Sequence, residues 1–452
     1  MKLTKSLVLL ALVVLAGACK QPEKTVEKTF LPYPIHQHQL PNGLNVVTVP
    51  YDSPGLVAFY IVVRVGSRNE VEPGKTGFAH FFEHMMFRGT EKFPPKKYNK
   101  ILKATGAGAN ANTWFDRTVY HMTGNAAKLD QMFEIEADRF QHLKYSEADF
   151  KVEAGAVKGE YTKDYASQFS QLEEAVNKTA FTTHTYRHTT MGFFEDVVDM
   201  PNQYEYSLEF YNRFYRPEYT TLIVVGDVKP EEVNELAEKY FGSWEKGNYQ
   251  ADIPEEPEQT GTRYTHIQNP GFIPTVSLNY KAPGFVDTSR EVAALDLVAY
   301  LLFSERSDLY KKLVINEQKA MQLYGYYLFT VDPYLFQIVA LVPDENNLQY
   351  VKNQIVAAID SLKGNPVDSL LLAQTKSNVK YSMAMSLDNP ESIAENLSFF
   401  TWLTGNPESL NRYMATFEAV TPEDVQAAAR KYLVPEKLTV ATISSKEEGG
   451  VQ

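Results

Sequence analysis

Cysteine is all but absent from this chain. Its 452 residues include one, Cys19. The protein therefore has no internal disulfide, and its stability must come from packed cores. Histidine is scarce as well, at nine. Positive charge is in deficit: 44 Lys and Arg stand against 56 Asp and Glu, a net charge of -12. No basic cluster offsets this balance, which argues against a nucleic-acid partner. Past the first 19 residues no long apolar run occurs, and so no candidate membrane span. What is abundant is core material. Hydrophobic residues make up 44% and aromatics 13%, enough for sizeable cores. The length suggests roughly two to four domains.

The N-terminus has its own grammar. Lys2 and Lys5 precede an apolar run from Leu7 to Leu15, followed by Ala16, Gly17, Ala18 and Cys19. The run is shorter than the ~20 residues a spanning helix needs, and reads as a secretory signal. "AGAC" resembles a bacterial lipoprotein signal, although Ala16 stands where such signals usually carry Leu. The resemblance implies that Cys19 is lipidated and that the protein is anchored in the bacterial cell envelope, on the periplasmic side. Residues 20–40, opening with "KQPEKTVEKT", read as a polar tether.

The remainder divides in two. "FYRPEYTTLIVVGDV" (214–228) and "YLVPEKLTVATIS" (432–444) share one pattern of helix end, proline turn and buried strand. Pro217 and Pro435 lie 218 residues apart, and the strand-forming Val57 and Val276 lie 219 apart. Two pairs with nearly one offset predict a duplicated domain. The Pro- and Glu-rich stretch 246–264 reads as the linker, leaving domains at 41–245 and 265–447. β-Branched runs alternate with helical patterns, which predicts an α+β fold: mainly antiparallel sheets, each flanked by helices.

"GFAHFFEHMMFRGT" (77–90) uses two of the nine histidines, four residues apart, with a glutamate between them. On a helix, His80 and His84 share one face and Glu83 projects beside them. Two imidazoles and a carboxylate suit a zinc site with open positions. A third ligand must come from elsewhere. Helix-forming "DFKVEAGAVKGEYTKDY" (149–165) offers Glu153 and Glu160, seven apart and again on one face. One can bind the metal while the other orients a ligand; spacing alone does not choose.

His-x-x-Glu-His is the inverted zinc-peptidase signature. "GFAHFFEHMMFRGT" resembles the pitrilysin/insulinase family of zinc endopeptidases, which includes the mitochondrial processing peptidases. In that family a glutamate follows the second histidine by about 76 residues, with another seven before it. Here His84 and Glu160 are 76 apart, and Glu153 precedes Glu160 by seven. The resemblance implies one zinc per chain on His80, His84 and Glu160. It makes Glu83 the general base, and Glu153 the carboxylate that supports a ligand. "GAGANANTWFDRTVYH" (106–121) is similar to the family's edge strand, implying that Asn110 and Ala111 pair with an extended peptide substrate. The implied fold is two homologous domains enclosing a chamber.

The second half departs from the pattern. The 218-residue offset carries His80 into "ALDLVAYLL", which has no ligand. Catalytic relatives often carry an Arg and a Tyr seven apart in the segment matching "SDLYKKLVINEQKAMQLYGYY" (307–327). Val314 and Met321 or Gln322 occupy those places, with Tyr324 out of register. The resemblance then implies the zinc-bearing subunit of a heterodimer, whose homologous partner carries Arg and Tyr; a homodimer is the other assembly. A non-catalytic peptide-binding or assembly lipoprotein is the competing reading, though inactive relatives usually lose the base or a histidine. "HTYRH" (184–188) also spaces two histidines by four. It has no carboxylate between them, its threonines disfavour a helix, and a metal role is not assigned to it.

Overall fold

The computed structural model describes residues 29–448 and residue 451; the signal, Cys19 and residues 20–28 of the tether lie outside the described residues. Two sheets organise the chain. The first comprises β1 (His36–Gln39), β2 (Asn45–Pro50), β3 (Leu56–Val63), β4 (Gly108–Thr113), β5 (Thr118–Asn125) and β6 (Thr220–Gly226). Its order is β1-β2-β6-β3-β5-β4. The second comprises β7 (Arg263–Gln268), β8 (Thr275–Ala282), β9 (Gln322–Tyr327), β10 (Tyr334–Leu341) and β11 (Leu438–Ser444), in the order β7-β11-β8-β10-β9. Apart from β1, the two orders are the same. Each sheet is antiparallel except for one parallel pair, β2 with β6 and β7 with β11. Strands β6 and β11 begin 218 residues apart, at Thr220 and Leu438. The fold is α+β and duplicated.

Six helices position the site and join the two halves: α1 (Phe78–Met85), α2 (Glu147–Asp164), α3 (Gln168–Ala180), α4 (Arg290–Phe303), α5 (Ser369–Met385) and α6 (Pro390–Thr404). Strands β3 and β6 are buried along nearly their whole length, which explains their unbroken β-branched sequence: both faces of the sheet are covered. The faces alternate with period two. Val57, Phe59, Ile61 and Val63 join the core beneath α1, with Phe78, Phe82 and Met85. Ala58, Tyr60 and Val62 join a different core, with Ile393 and Leu397 of α6. Helix α6 belongs to the second domain, so one domain roofs the other's sheet. The exchange is reciprocal. Leu172, Val176 and Ala180 of α3 pack on Leu335, Val339, Ala441 and Ile443 of the second sheet.

A cavity of about 1540 Å³ lies within the second domain, bordered by α4, α5 and α6. Two boundaries differ from expectation. The stretch read as tether includes β1 and the buried Leu31, whose N–H donates to Asn411 Oδ1 at 2.9 Å. Strand pairing and several apolar contacts, from the buried Leu31 and Leu40 and the partly buried Phe30, Tyr33 and Ile35, order the later part of this segment. Within the linker, the Glu256 carboxylate accepts the backbone N–H groups of Thr182, Thr183 and His184, and β7 already begins at Arg263.

Candidate metal centre

Helix α1 starts at Gly77, whose φ of +90° favours glycine. A Cβ there would also lie 2.9 Å from the Met191 carbonyl. The first turn is capped by Glu70: its carboxylate accepts the N–H of Gly77 at 2.8 Å and of Ala79 at 2.7 Å. Phe78, Phe81, Phe82 and Met85 are fully buried and fix the rotation of the helix. Phe82 stacks on Phe210 with ring centroids 5.4 Å apart. That rotation turns His80, Glu83 and His84 away from the core together, as the 3.6-residue period requires.

They face α2. A capping box between Ser146 and Asp149 starts this helix, and Phe150, Ala154 and Val157 bury its inner face. Glu160 reaches both imidazoles: its Oε2 lies 3.1 Å from His84 Nε2 and 3.7 Å from His80 Nε2. Glu153, two turns earlier, meets the other nitrogen of His84, with Oε1 3.0 Å from Nδ1. Of the two glutamates that spacing left open, only Glu160 is within reach of both rings.

Two further contacts escaped sequence reasoning. Arg88, four residues beyond His84, grips Glu153 through Nε and Nη2. Thr113, at the end of β4, donates its hydroxyl to Glu83 Oε2 at 2.7 Å. Arg88 lies one helical turn past His84, and that spacing was a usable signal. The Thr113 contact joins residues 30 positions apart and had none.

The electrostatics follow from burial and these contacts. Burial holds the His80 imidazolium state down, to about 3, so the ring is neutral. The Glu153 hydrogen bond raises the His84 pKa against an opposing burial effect. Burial raises the Glu83 carboxyl, opposed by the Thr113 hydroxyl and by His84. Burial also pushes Glu153 upward, but the bonds from His84 and Arg88 outweigh it and hold the carboxyl below its ordinary value.

His80, His84 and Glu160 form the one group of three metal-ligating side chains among the described residues whose ligand atoms all lie within 4.8 Å of one another. Ligands about 2.0–2.1 Å from a tetrahedral zinc are roughly 3.3–3.4 Å apart. The carboxylate–imidazole separations of 3.1 and 3.7 Å bracket that value. Neither nitrogen of the buried His80 has a hydrogen bond, Nδ1 being wholly unpartnered and Nε2 too far from Glu160. A cation beside Glu160 would give Nε2 the partner it lacks. The donor set fits zinc.

Asn110 and Ala111 sit in β4, the outermost strand of its sheet, opposite His121 and Tyr120 of β5. The free edge of β4 is therefore open to strand addition. His184 and His188 take no part in the cluster; both are buried in the first domain. Val314 lies in a π-helical turn, Lys311–Asn316, and Tyr324 in β9, the matching outer strand of the second sheet.

Residues 46–192 match the family described as insulinase (peptidase family M16), and residues 203–379 match the peptidase M16 inactive domain. The chain is 30% identical over 402 residues to the zinc protease PqqE of Helicobacter pylori, covering 87% of this chain and 89% of that protein. It is 23% identical to an Arabidopsis thaliana protein named "Probable mitochondrial-processing peptidase subunit beta", covering 94% of this chain and 83% of that one. A crystal structure of a protease from Helicobacter pylori superposes with a TM-score of 0.85 at 28% identity, over 91% of this chain and 99% of that chain.

Proposed function

The chain belongs to the insulinase (M16) family of peptidases, and from that premise we propose that it is a zinc endopeptidase cleaving peptides or unfolded segments. The observation that carries the reading is the convergence of His80, His84 and Glu160 with Glu83 beside them. In this reading His80, His84 and Glu160 hold one zinc, which supplies Lewis acidity and makes bound water acidic near neutral pH. Glu83 is the general base. It takes the proton of the attacking water and later returns it to the leaving amine. Thr113 fixes the direction of that carboxylate. Glu153, itself held by Arg88, keeps the His84 proton on Nδ1 and leaves Nε2 free as a ligand. Asn110 and Ala111 line the open edge of β4, where an extended backbone adds as a further strand. Recognition of that kind reads main chain more than side chains, and suits unfolded substrates.

The match of residues 203–379 to an inactive domain gives the non-catalytic reading its one support. It concerns the half without ligands, and leaves the five residues of the candidate centre intact in the other. Val314 in place of the Arg that catalytic relatives often carry supports a zinc-bearing subunit that works with a homologous Arg- and Tyr-bearing partner. The N-terminal run and Cys19 support a lipid anchor in the bacterial envelope. No helix among the described residues is long and apolar enough to cross a membrane.

The test is cleavage of an unstructured fluorescent peptide by the chain alone, with a chelator control and Glu83→Gln alongside. Cleavage that the chelator abolishes and Glu83→Gln lacks, while that variant still binds zinc, establishes the peptidase and removes the need for a partner. A zinc-loaded, folded chain that cleaves only with a homologous subunit present supports the heterodimer. Near-normal turnover by Glu83→Gln would remove that residue from the role.

A further inference from the structure

The second domain supplies none of the three clustered ligands among the described residues, yet one of its loops makes polar contacts with buried groups of the first domain. The loop between β9 and β10 carries Thr330, Val331 and Asp332. The Val331 N–H donates to Asp116 Oδ2 at 3.1 Å, and the Asp332 N–H to the Tyr186 hydroxyl at 3.3 Å. That hydroxyl in turn donates to Asp116 Oδ1 at 2.6 Å. The Asp332 carboxylate then takes two donors on a single oxygen. Arg68 Nε donates to Oδ2 at 2.5 Å, and His184 Nε2 lies 2.9 Å from the same atom. The N–H of Tyr186 donates to His184 Nδ1 at 3.0 Å, which leaves the ring proton on Nε2, aimed at Asp332. Thr330, Asp116, His184 and Tyr186 are all buried. The "HTYRH" segment, which the metal centre does not use, is thus half of an interdomain clasp.

The other half leads to α1. Arg68 stands in the 3-10 turn Ser67–Asn69. Its carbonyl accepts the Thr185 hydroxyl at 2.7 Å, and its N–H donates to the Phe115 carbonyl at 2.8 Å. Gly66, just before, is pressed against the 114–117 turn; a Cβ there would lie 2.1 Å from the Trp114 carbonyl. The turn has little room to move. Two residues after Arg68 comes Glu70, whose carboxylate caps α1 through Gly77 and Ala79. The next residues of that helix are His80, Glu83 and His84.

We propose that Asp332 is a positioning residue for the metal-binding helix: this second-domain carboxylate holds the Arg68 turn, the turn places Glu70, and Glu70 sets how His80, Glu83 and His84 face Glu160. Its catalytic consequence rests on the zinc-peptidase reading. It assigns the ligand-free half a share in the site of the other half, through a relay of short bonds in contiguous, packed structure.

The experiment uses the full chain, with Asp332→Asn, Asp332→Glu and Tyr51→Phe. Tyr51 makes a different interdomain bond, from its hydroxyl to the Asp388 carbonyl at 2.7 Å, and has no link to the turn. Zinc affinity is read by chelator competition, turnover on the fluorescent peptide, and amide hydrogen exchange by mass spectrometry. Asp332→Asn is expected to lower zinc affinity and kcat each by about tenfold. KM stays within about twofold, since substrate contacts are untouched. Exchange quickens at residues 66–70 and at the start of α1, and there alone. Asp332→Glu recovers part of each loss, and Tyr51→Phe matches the wild type. Should Asp332→Asn fail to fold, Asp332→Glu and Arg68→Lys carry the comparison. Wild-type zinc affinity and α1 exchange in Asp332→Asn overturn the inference, as does quickened exchange spread evenly over both domains. A wild-type chain that binds no zinc overturns the reading of the site itself, and the exchange pattern at α1 then decides this inference alone.

Discussion

Replacing Glu153 tests the reasoning about the centre without touching a proposed ligand. The side chain is buried, and its carboxylate meets His84 Nδ1 at 3.0 Å on one oxygen and Arg88 on the other. The hydrogen bond to His84 is the largest cause of that ring's raised pKa, so the two groups are energetically coupled. Losing such a partner of a metal-bound imidazole typically costs about 10–100-fold in metal affinity, or roughly 1.4–2.7 kcal/mol. Glu153→Ala removes the acceptor outright and belongs at the upper end. Glu153→Gln keeps one oxygen, which cannot serve both His84 and Arg88, and belongs near the lower end. Folding stability of the metal-free chain should change little. The Arg88 side chain is 43% exposed and can be solvated when released, so removing the buried Glu153 leaves no buried unpaired charge behind. The assay is competition with a chromophoric chelator at pH 7.5, paired with thermal unfolding of the metal-free chains. Glu160→Gln, which loses a proposed ligand, sets the floor. Glu153→Ala binding zinc within about twofold of the wild type would show that Glu153 does not support the ligand, and would refute the argument.

Thr113→Val keeps the volume and removes the hydroxyl that fixes Glu83. A hydrogen bond to a charged group contributes about 1.5–3 kcal/mol, so kcat should fall roughly tenfold or more with zinc affinity unchanged; equal loss of both would mean that the site had collapsed. Phe82→Ala removes a fully buried ring stacked on Phe210, and should cost about 3–5 kcal/mol in denaturant unfolding. Lys281 offers a test of pH dependence. Its ammonium is buried without a hydrogen bond, 3.1 Å from the Phe181 ring centroid and 3.8 Å from Glu256. Burial pushes its pKa down to about 7, with Glu256 opposing. A folded-state pKa below the unfolded value means that this residue's contribution to stability is full above about pH 10 and is lost as pH falls to about 7. Lys281→Met should therefore stabilise the fold on the order of 1–2 kcal/mol at pH 7, with the gain in Tm shrinking toward pH 10; a pH-independent change would contradict the buried-charge account.

Much of this was written locally in the chain. Helical period puts His80, Glu83 and His84 on one face, and the 3.6-residue turn does the same for Glu153 and Glu160; these relations need no tertiary information. The β-branched runs of β3 and β6 mark buried strands, and the 218-residue offset between Pro217 and Pro435 marks the duplication that the two matching sheet orders display. At the edges of the tether and linker, the buried Leu31 and Leu40 and the Glu256 carboxylate make long-range contacts that composition does not reveal.

Sequence alone thus determined which residues share a face and which segments repeat, because both depend on local geometry and on spacing along the chain. Tertiary structure decided what those faces meet. Spacing treats Glu153 and Glu160 alike; only the docking of α2 against α1 puts Glu160 within reach of both imidazoles and Glu153 behind one of them. The same holds for Thr113 on Glu83, for the exchanged helices α3 and α6, and for Asp332 against Arg68, 264 positions away. Each joins groups whose separation in sequence carries no period. Their contact depends on how whole elements bury their apolar faces, and the packing of the full chain settles that.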